Sequence, residues 1–123
     1  IVIAVTQLTS TSRTVMNEEI GIPGPVEQTV LRYAELAAHA GLAGVVASPL
    51  EAGAIKEKLG ARFVVVTPGI RPAGADKGDQ NRVATPADAV RAGADYLVIG
   101  RPVTASPDPR AALISILEEL SEG

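Results

Sequence analysis

The chain has 123 residues, enough for one domain with a buried core, and 46% of them are hydrophobic but only 2% aromatic, so aliphatic side chains must fill that core. A formal charge of −3 without a basic run argues against a nucleic-acid partner. The sequence contains no apolar run long enough to span a membrane and no signal-peptide layout. The absence of cysteine excludes a disulfide framework and cysteine-ligated zinc, so we expect a soluble protein of the reducing cytoplasm.

Four short apolar runs, rich in β-branched residues, predict buried parallel strands. In chain order they are Ile1–Val5, Gly44–Ala47, Phe63–Thr67 and Tyr96–Ile99. Apolar residues at helical spacing form three further groups: Val26, Val30, Tyr33 and Ala37; Leu50, Ala54 and Ile55; and Ala112, Ile116 and Leu120. This alternation predicts a parallel sheet with right-handed crossovers, in either a (β/α) barrel or a doubly wound sheet.

Residues at the expected helix boundaries support this alternation. Pro25 and Pro49 lie where helices begin, and Thr85-Pro86-Ala87-Asp88 combines a capping threonine with a proline in the first turn. Glycines mark the expected helix ends, namely Gly41, Gly60 and Gly93. We interpret His39, the only histidine, as a polar residue at a helix end and not as a metal ligand or base.

Long polar segments follow three of the predicted strands, whereas the segments that lead into strands are short. They span Thr6–Gly24, Pro68–Ala84 and Gly100–Pro107. In a (β/α) barrel, the loops after the strands form the active site. The second segment contains four cationic or amide side chains that favour a loop binding an anion: Arg71, Lys77, Gln80 and Arg82.

Two arginines follow the ends of the last two predicted strands. Gly100-Arg101-Pro102 lies directly after the fourth strand, and Thr67-Pro68-Gly69-Ile70-Arg71 repeats the order of strand, glycine and arginine one unit earlier. A guanidinium presents a fixed fork of donors to phosphate oxygens, and a glycine lets the backbone approach a ligand closely. Because neighbouring strands lie about 4.8 Å apart, the two arginines are expected to converge on one phosphate site. Each arginine taken alone could instead pair with a nearby carboxylate or lie in solvent.

Five motifs give the chain a strong resemblance to the bacterial orotidine 5′-phosphate decarboxylases. In the order of the family they are Val5-Thr6-Gln7-Leu8-Thr9-Ser10, Ser48-Pro49-Leu50-Glu51-Ala52, Thr67-Pro68-Gly69-Ile70-Arg71, Gly78-Asp79-Gln80 with Arg82, and Gly100-Arg101-Pro102-Val103-Thr104. Each motif is weak alone, but together they span nearly the whole chain and are specific. The family is a (β/α)8 barrel of the TIM type, so the resemblance implies that residues 1–123 are a single C-terminal half-barrel of four β/α units that binds phosphate.

The resemblance also implies roles for particular residues. Arg71, Gln80, Gly100 and Arg101 would bind the nucleotide 5′-phosphate, and the segment around Gln80 would close over the ligand. Thr9 would contact the pyrimidine, although by composition alone its hydroxyl-rich segment is typical of a helix-capping turn. The implied reaction converts orotidine monophosphate to UMP and CO2 in pyrimidine biosynthesis, without a cofactor, in a protein that is a homodimer when intact.

The chain departs from the family at the catalytic motif. The family places its lysine and aspartates in an Asp-x-Lys-x-x-Asp pattern that does not occur in this sequence, and Asp76-Lys77-Gly78-Asp79 has the wrong spacing. The chain also opens directly on the core-strand sequence Ile1–Val5. We therefore expect that an N-terminal half supplies the catalytic residues and that this segment alone is inactive.

Two alternative functions are compatible with the sequence. One is another phosphosugar barrel of the same superfamily, such as a 3-keto-gulonate or hexulose phosphate enzyme, although the Thr-Gln-Leu-Thr-Ser and Asp-Gln motifs argue against it. The other is a non-catalytic half-barrel that binds nucleotide phosphate. Such a half-barrel would expose strand edges at Ile1–Val5 and Tyr96–Ile99 and would have to dimerise edge to edge.

Overall fold

A computed structural model describes residues 1–72 and 83–123 of the chain. Its elements are β1 (Ile3–Val5), a π-helical turn (Val15–Glu19), α1 (Val26–His39), β2 (Gly44–Val46), α2 (Pro49–Leu59), β3 (Val64–Thr67), α3 (Pro86–Arg91), β4 (Tyr96–Leu97), α4 (Arg101–Thr104) and α5 (Pro109–Glu122). The four strands form one parallel sheet in the order β1-β2-β3-β4. The predicted alternation of strands and helices around a parallel sheet is therefore confirmed.

The main core lies between one face of this sheet and the helices. Val45 of β2 and Val65 of β3 are register partners, so their side chains point to the same face of the sheet. Both are fully buried against the helices. The packed side chains of this cluster are Val30, Ala34, Ala37, Val45, Ala47, Ala52, Ile55, Phe63 and Val65. A smaller cluster of Ile70, Ala89 and Ala94 packs nearer to β4. The aliphatic core expected from the composition is thus observed.

The predicted helix boundaries agree closely with the structure. Thr85 caps α3, since its hydroxyl oxygen accepts a hydrogen bond from the Asp88 backbone N–H at 3.2 Å. His39 is the last residue of α1, as the sequence predicts. The glycines that follow α1, α2 and α3 all have positive φ, with values of 83°, 95° and 111° for Gly41, Gly60 and Gly93. An L side chain rarely adopts that conformation, which explains why glycine ends each helix.

The edge strands are shorter than predicted. β1 excludes Ile1 and Val2, and β4 ends at Leu97 instead of Ile99. Each edge strand is hydrogen-bonded to one neighbour among the described residues, so its regular pairing ends sooner than that of a central strand. Pairing past β4 continues only as far as Val98, whose N–H donates to the Thr67 carbonyl at 2.9 Å.

Two of the segments expected to be loops contain short helices. The π-helical turn at 15–19 is anchored by the fully buried Met16 and by Asn17, whose amide donates to the carbonyls of Ile22 and Gly24 at 2.7 and 2.9 Å. The α4 turn forms directly after β4. Both arise from local tertiary contacts and not from an extended helical pattern. Within the described part of the chain, no helix is long and apolar enough to cross a membrane.

Candidate functional site

A cleft of about 290 Å³ lies at the carboxyl ends of β3 and β4. Its walls come from the segments that directly follow these two strands and from α4, with Pro68, Gly69, Arg71, Val98, Gly100, Arg101 and Thr104 as lining residues. This is the edge of a parallel sheet at which ligand sites of (β/α) folds are built. The expected convergence of the two strand-end arginines is therefore observed.

A short extension of the sheet positions Arg71. Gly69 turns the chain after β3 with a φ of 76°, and Ile70 forms a parallel bridge with Ala84. The Arg71 backbone N–H donates to the Ala84 carbonyl at 2.9 Å, and the fully buried Ile70 anchors the turn beneath it. As a result, the Arg71 backbone is held against Ala84 at the edge of the cleft.

The Arg71 side chain is 9% exposed, which is unusual for a guanidinium. Its Nη1 donates to the Ile70 carbonyl at 2.9 Å. That bond uses one of the five N–H donors of a guanidinium and fixes the plane of the group. A buried, oriented cation of this kind is suited to bidentate binding of an anion, because it loses little conformational entropy when the ligand arrives.

Gly100 and Arg101 form the opposite wall. The Gly100 carbonyl accepts hydrogen bonds from the N–H groups of Val103 and Thr104, both at 2.9 Å, and these bonds close the α4 turn. A Cβ atom placed on Gly100 would meet nothing within 4 Å. Crowding by the protein therefore does not require a glycine here, and the open space at its Cα allows close approach of a ligand to the backbone.

The charged side chains among the described residues that line the cleft are two guanidinium groups. They belong to Arg71 and Arg101, and none of these lining residues is an aspartate or glutamate. Such a surface can hold an anion such as a phosphate monoester.

The other predicted site residues lie elsewhere. Thr9 is buried in the segment after β1, at the opposite edge of the sheet from β4, and does not line the cleft. Three strand spacings separate these edges, which corresponds to about 14 Å in a flat sheet. Gln80 lies outside the described residues, as do Lys77, Arg82 and the segments Asp76–Asp79 and Gly78–Gln80.

The structure adds residues to which the sequence had given no role. Thr104 lines the cleft one helical turn after Arg101. Glu51 is a buried carboxyl group in the first turn of α2, and the fully buried Ser48 caps the same helix by accepting from the Leu50 N–H at 3.1 Å. The Ser-x-x-Glu spacing of a capping box could have identified this pair. No cluster of three or more metal-ligating side chains occurs among the described residues.

A parallel sheet packed against helices, with a cleft after its final strands, places the chain among the β/α proteins. The sequence profile of the family described as "Orotidine 5'-phosphate decarboxylase / HUMPS family" matches residues 1–116, and the chain belongs to this family. The predicted fold class is confirmed by structural similarity to an orotidine 5'-phosphate decarboxylase from Lactobacillus acidophilus. That crystal structure has a TM-score of 0.77 and 41% identity, covering 96% of this chain and 48% of the other.

Curated relatives show the same partial coverage. An orotidine 5'-phosphate decarboxylase from Moorella thermoacetica is 59% identical over 120 residues, which are 98% of this chain and 48% of the relative. The corresponding protein from Heliobacterium modesticaldum is 52% identical over 123 residues, covering 100% of this chain and 51% of the relative. The chain thus spans about half the length of the relatives that it matches.

Proposed function

We propose that the chain is part of an orotidine 5'-monophosphate decarboxylase, which converts orotidine monophosphate to UMP and CO2 in pyrimidine biosynthesis. Its family membership and the names of its relatives support this reaction. Within the enzyme, residues 1–123 form a single C-terminal half-barrel segment that binds the phosphate and the pyrimidine. The observation that best supports this role is the cleft in which Arg71 and Arg101 converge.

The cleft binds the 5′-phosphate in this proposal. Arg71 and Arg101 neutralise its charge and donate hydrogen bonds to its oxygens, while Gly100 allows the phosphate to approach the backbone. Charge-assisted hydrogen bonds from an arginine fork are shorter and stronger than neutral ones. Gln80 is proposed to add a further donor from the segment that closes over the ligand, and that segment would exclude water from the reaction.

Thr9 contacts the pyrimidine in the same proposal. Its position at the far edge of the sheet places it well away from the phosphate cleft. The base and the phosphate are opposite ends of a nucleotide, so two separated sites on one strand-end surface suit such a ligand. The ligand would therefore lie across the carboxyl ends of the strands.

The decarboxylating lysine and aspartates are proposed to come from the part of the relatives that this chain does not match. The phosphate-binding residues then act at a distance from the reacting carbon. They can still lower the barrier, because binding energy from a non-reacting group of the substrate can be used to stabilise the transition state. The whole enzyme is proposed to be a cofactor-free homodimer. We place it in the cytoplasm, with which the cysteine-free composition is compatible.

The phosphate assignment is tested with an Arg101→Ala variant and calorimetric titration of UMP and uridine. We expect UMP binding to weaken about 10- to 100-fold, as the loss of charged hydrogen bonds implies, while uridine binding changes little. Arg62→Ala is the matched control, because Arg62 is an exposed arginine just before β3, at the other end of the strand. Equal losses for both ligands would remove the phosphate assignment.

The division of roles between the two halves is tested by following the absorbance of orotidine monophosphate. The 123-residue chain is expected to bind the nucleotide without decarboxylating it. Turnover by this chain alone would contradict the proposal that the catalytic residues lie elsewhere. Turnover of a hexulose phosphate, with no binding of UMP, would instead favour the alternative function of a phosphosugar enzyme.

A further inference from the structure

Thr104 brings a hydroxyl group to the wall of the strand-end cleft. It is the last residue of α4, one helical turn after Arg101, and both residues line the cleft together with Arg71. Of the described lining residues, only these three have polar side chains. Two guanidinium groups and one hydroxyl therefore border the same space of about 290 Å³.

The Thr104 hydroxyl is not committed to holding the α4 turn together. A threonine in a helix often bonds its hydroxyl back to the carbonyl three or four residues earlier. The Gly100 carbonyl, four residues before Thr104, instead accepts from the backbone N–H groups of Val103 and Thr104, both at 2.9 Å. Within the described part of the chain, the exposed Thr104 side chain makes no hydrogen bond, so its hydroxyl can serve a ligand.

The backbone of α4 has few donors left for a ligand in the cleft. The N–H groups of Val103 and Thr104 close the turn, and Pro102 has no N–H. Side chains must therefore supply most of the hydrogen bonds that this wall can offer. On α4 the lining side chains are those of Arg101 and Thr104.

A phosphate monoester and a carboxylate make different demands on such a cleft. A carboxylate has two oxygens in one plane, and a single guanidinium fork can bind both of them. A phosphate monoester has three terminal oxygens around a tetrahedral phosphorus, so one of them lies outside the plane of such a fork. A hydroxyl can rotate to donate to an oxygen in that position.

We propose that Thr104 makes the cleft selective for a phosphate monoester over a carboxylate, by donating a hydrogen bond to a terminal oxygen outside the plane of the arginine fork. This inference deepens the proposed phosphate-binding function and rests on it. Arg71 and Arg101 attract any anion through their charge. The neutral Thr104 hydroxyl adds nothing to that attraction, so its contribution goes to the ligand whose oxygens reach it.

The selectivity is tested by calorimetric titration of Thr104→Val with UMP and with uridine 5′-carboxylate, in which a carboxylate replaces the phosphate group. Valine keeps the shape of the side chain and removes only the hydroxyl. We expect UMP binding to weaken about 10-fold, as the loss of one hydrogen bond to a charged group implies, while binding of the carboxylate hardly changes. Thr104→Ser, which retains a hydroxyl, is expected to bind UMP as the native sequence does.

Thr14→Val is the matched control, because Thr14 is an exposed threonine outside the cleft and its side chain makes no capping hydrogen bond. It should leave the affinity for both ligands unchanged. Unchanged UMP binding in Thr104→Val, or equal losses for UMP and the carboxylate, would overturn the assignment of Thr104.

The Arg101→Ala variant separates this inference from the function on which it rests. If Arg101→Ala weakens UMP binding but Thr104→Val does not, the phosphate cleft is retained and only the role of Thr104 fails. If Arg101→Ala weakens UMP and uridine binding equally, the phosphate assignment itself fails, and the selectivity proposed for Thr104 fails with it.

Discussion

Asp95, just before β4, links β4 to β3 and α2 at the end of the sheet opposite the cleft. Its carboxylate accepts hydrogen bonds from Lys56 Nζ at 2.5 Å and from the Val65 backbone N–H at 2.8 Å. The same ammonium group donates to the carbonyls of Phe63 and Ala61 at 2.7 and 3.0 Å. A single ion pair, between a mostly buried Lys56 side chain and an exposed Asp95, therefore links the start of two strands to the end of a helix.

Replacing Asp95 is expected to destabilise the fold without affecting the cleft. Asp95→Ala removes both carboxylate bonds and leaves Lys56 without its counter-charge, so the free energy of unfolding should fall by about 1–3 kcal/mol. Asp88→Ala is the control, since Asp88 is exposed and pairs with Arg91 on the surface of its own helix. Urea denaturation measures both variants. A smaller loss for Asp95→Ala than for Asp88→Ala would show that the link contributes little.

The same carboxylate predicts a pH dependence of stability. Burial alone would raise the pKa of Asp95, but hydrogen bonds from Lys56 and the Val65 N–H, with the Lys56 charge, hold this pKa below its ordinary value of 3.8. A group with a lowered pKa stabilises the folded state above its ordinary pKa, and this contribution is lost as the pH falls through the folded-state value.

We therefore expect the free energy of unfolding to decrease more steeply below pH 3.8 in the native sequence than in Asp95→Asn. Denaturant titrations at neutral and acidic pH compare the two proteins. Parallel pH profiles would mean that another carboxylate dominates the acid response.

At the residue scale, the sequence predicted which two arginines line the cleft. Arg71 and Arg101 were predictable because parallel strands end at a common edge, so arginines at corresponding positions must meet. Thr104 was not assigned a role, since a single hydroxyl has no distinguishing pattern. Its position depends on the α4 turn, which the sequence did not indicate. The phosphate role of Gln80 and the pyrimidine role of Thr9 stay predictions.

At the scale of elements, close approach of β2 and β3 explains a glycine at the start of β2. A Cβ atom on Gly44 would lie 2.1 Å from the carbonyl oxygen of Val64, its partner across the pair. Real Cβ atoms do not come this close to a backbone oxygen, so any side chain would push the two central strands apart. The sheet register at this end therefore depends on the absence of a side chain.

Gly44→Ala is expected to lower the free energy of unfolding by about 1–3 kcal/mol or more, as overpacking in a core does. Gly53→Ala in the middle of α2 is the control. Its Cβ would meet the Ala92 carbonyl at 3.3 Å, and the better helix propensity of alanine, about 1 kcal/mol, offsets that tight contact. Thermal denaturation distinguishes the two. Similar midpoints for both variants would show that the strands can separate at little cost.

Strands and long helices were predictable because their apolar periodicity extends over several residues. The π-helical turn and α4 were not, since each has four or five residues and depends on contacts that no local pattern encodes. Met16 illustrates the difference: it is fully buried, yet its neighbours in sequence form no helical stripe. The edge strands were predicted too long because their apolar ends lack a second neighbour to pair with.

At the scale of the whole molecule, the sheet has one covered face and one open face. The helices bury Val45 and Val65 on one side, while an apolar row of register partners lies on the other, namely Val5, Val46, Val66 and Tyr96. The sequence already predicted this asymmetry through its open edges. The apolar row extends across every strand, so covering it contributes to the stability of the entire sheet and not only to that of its edges.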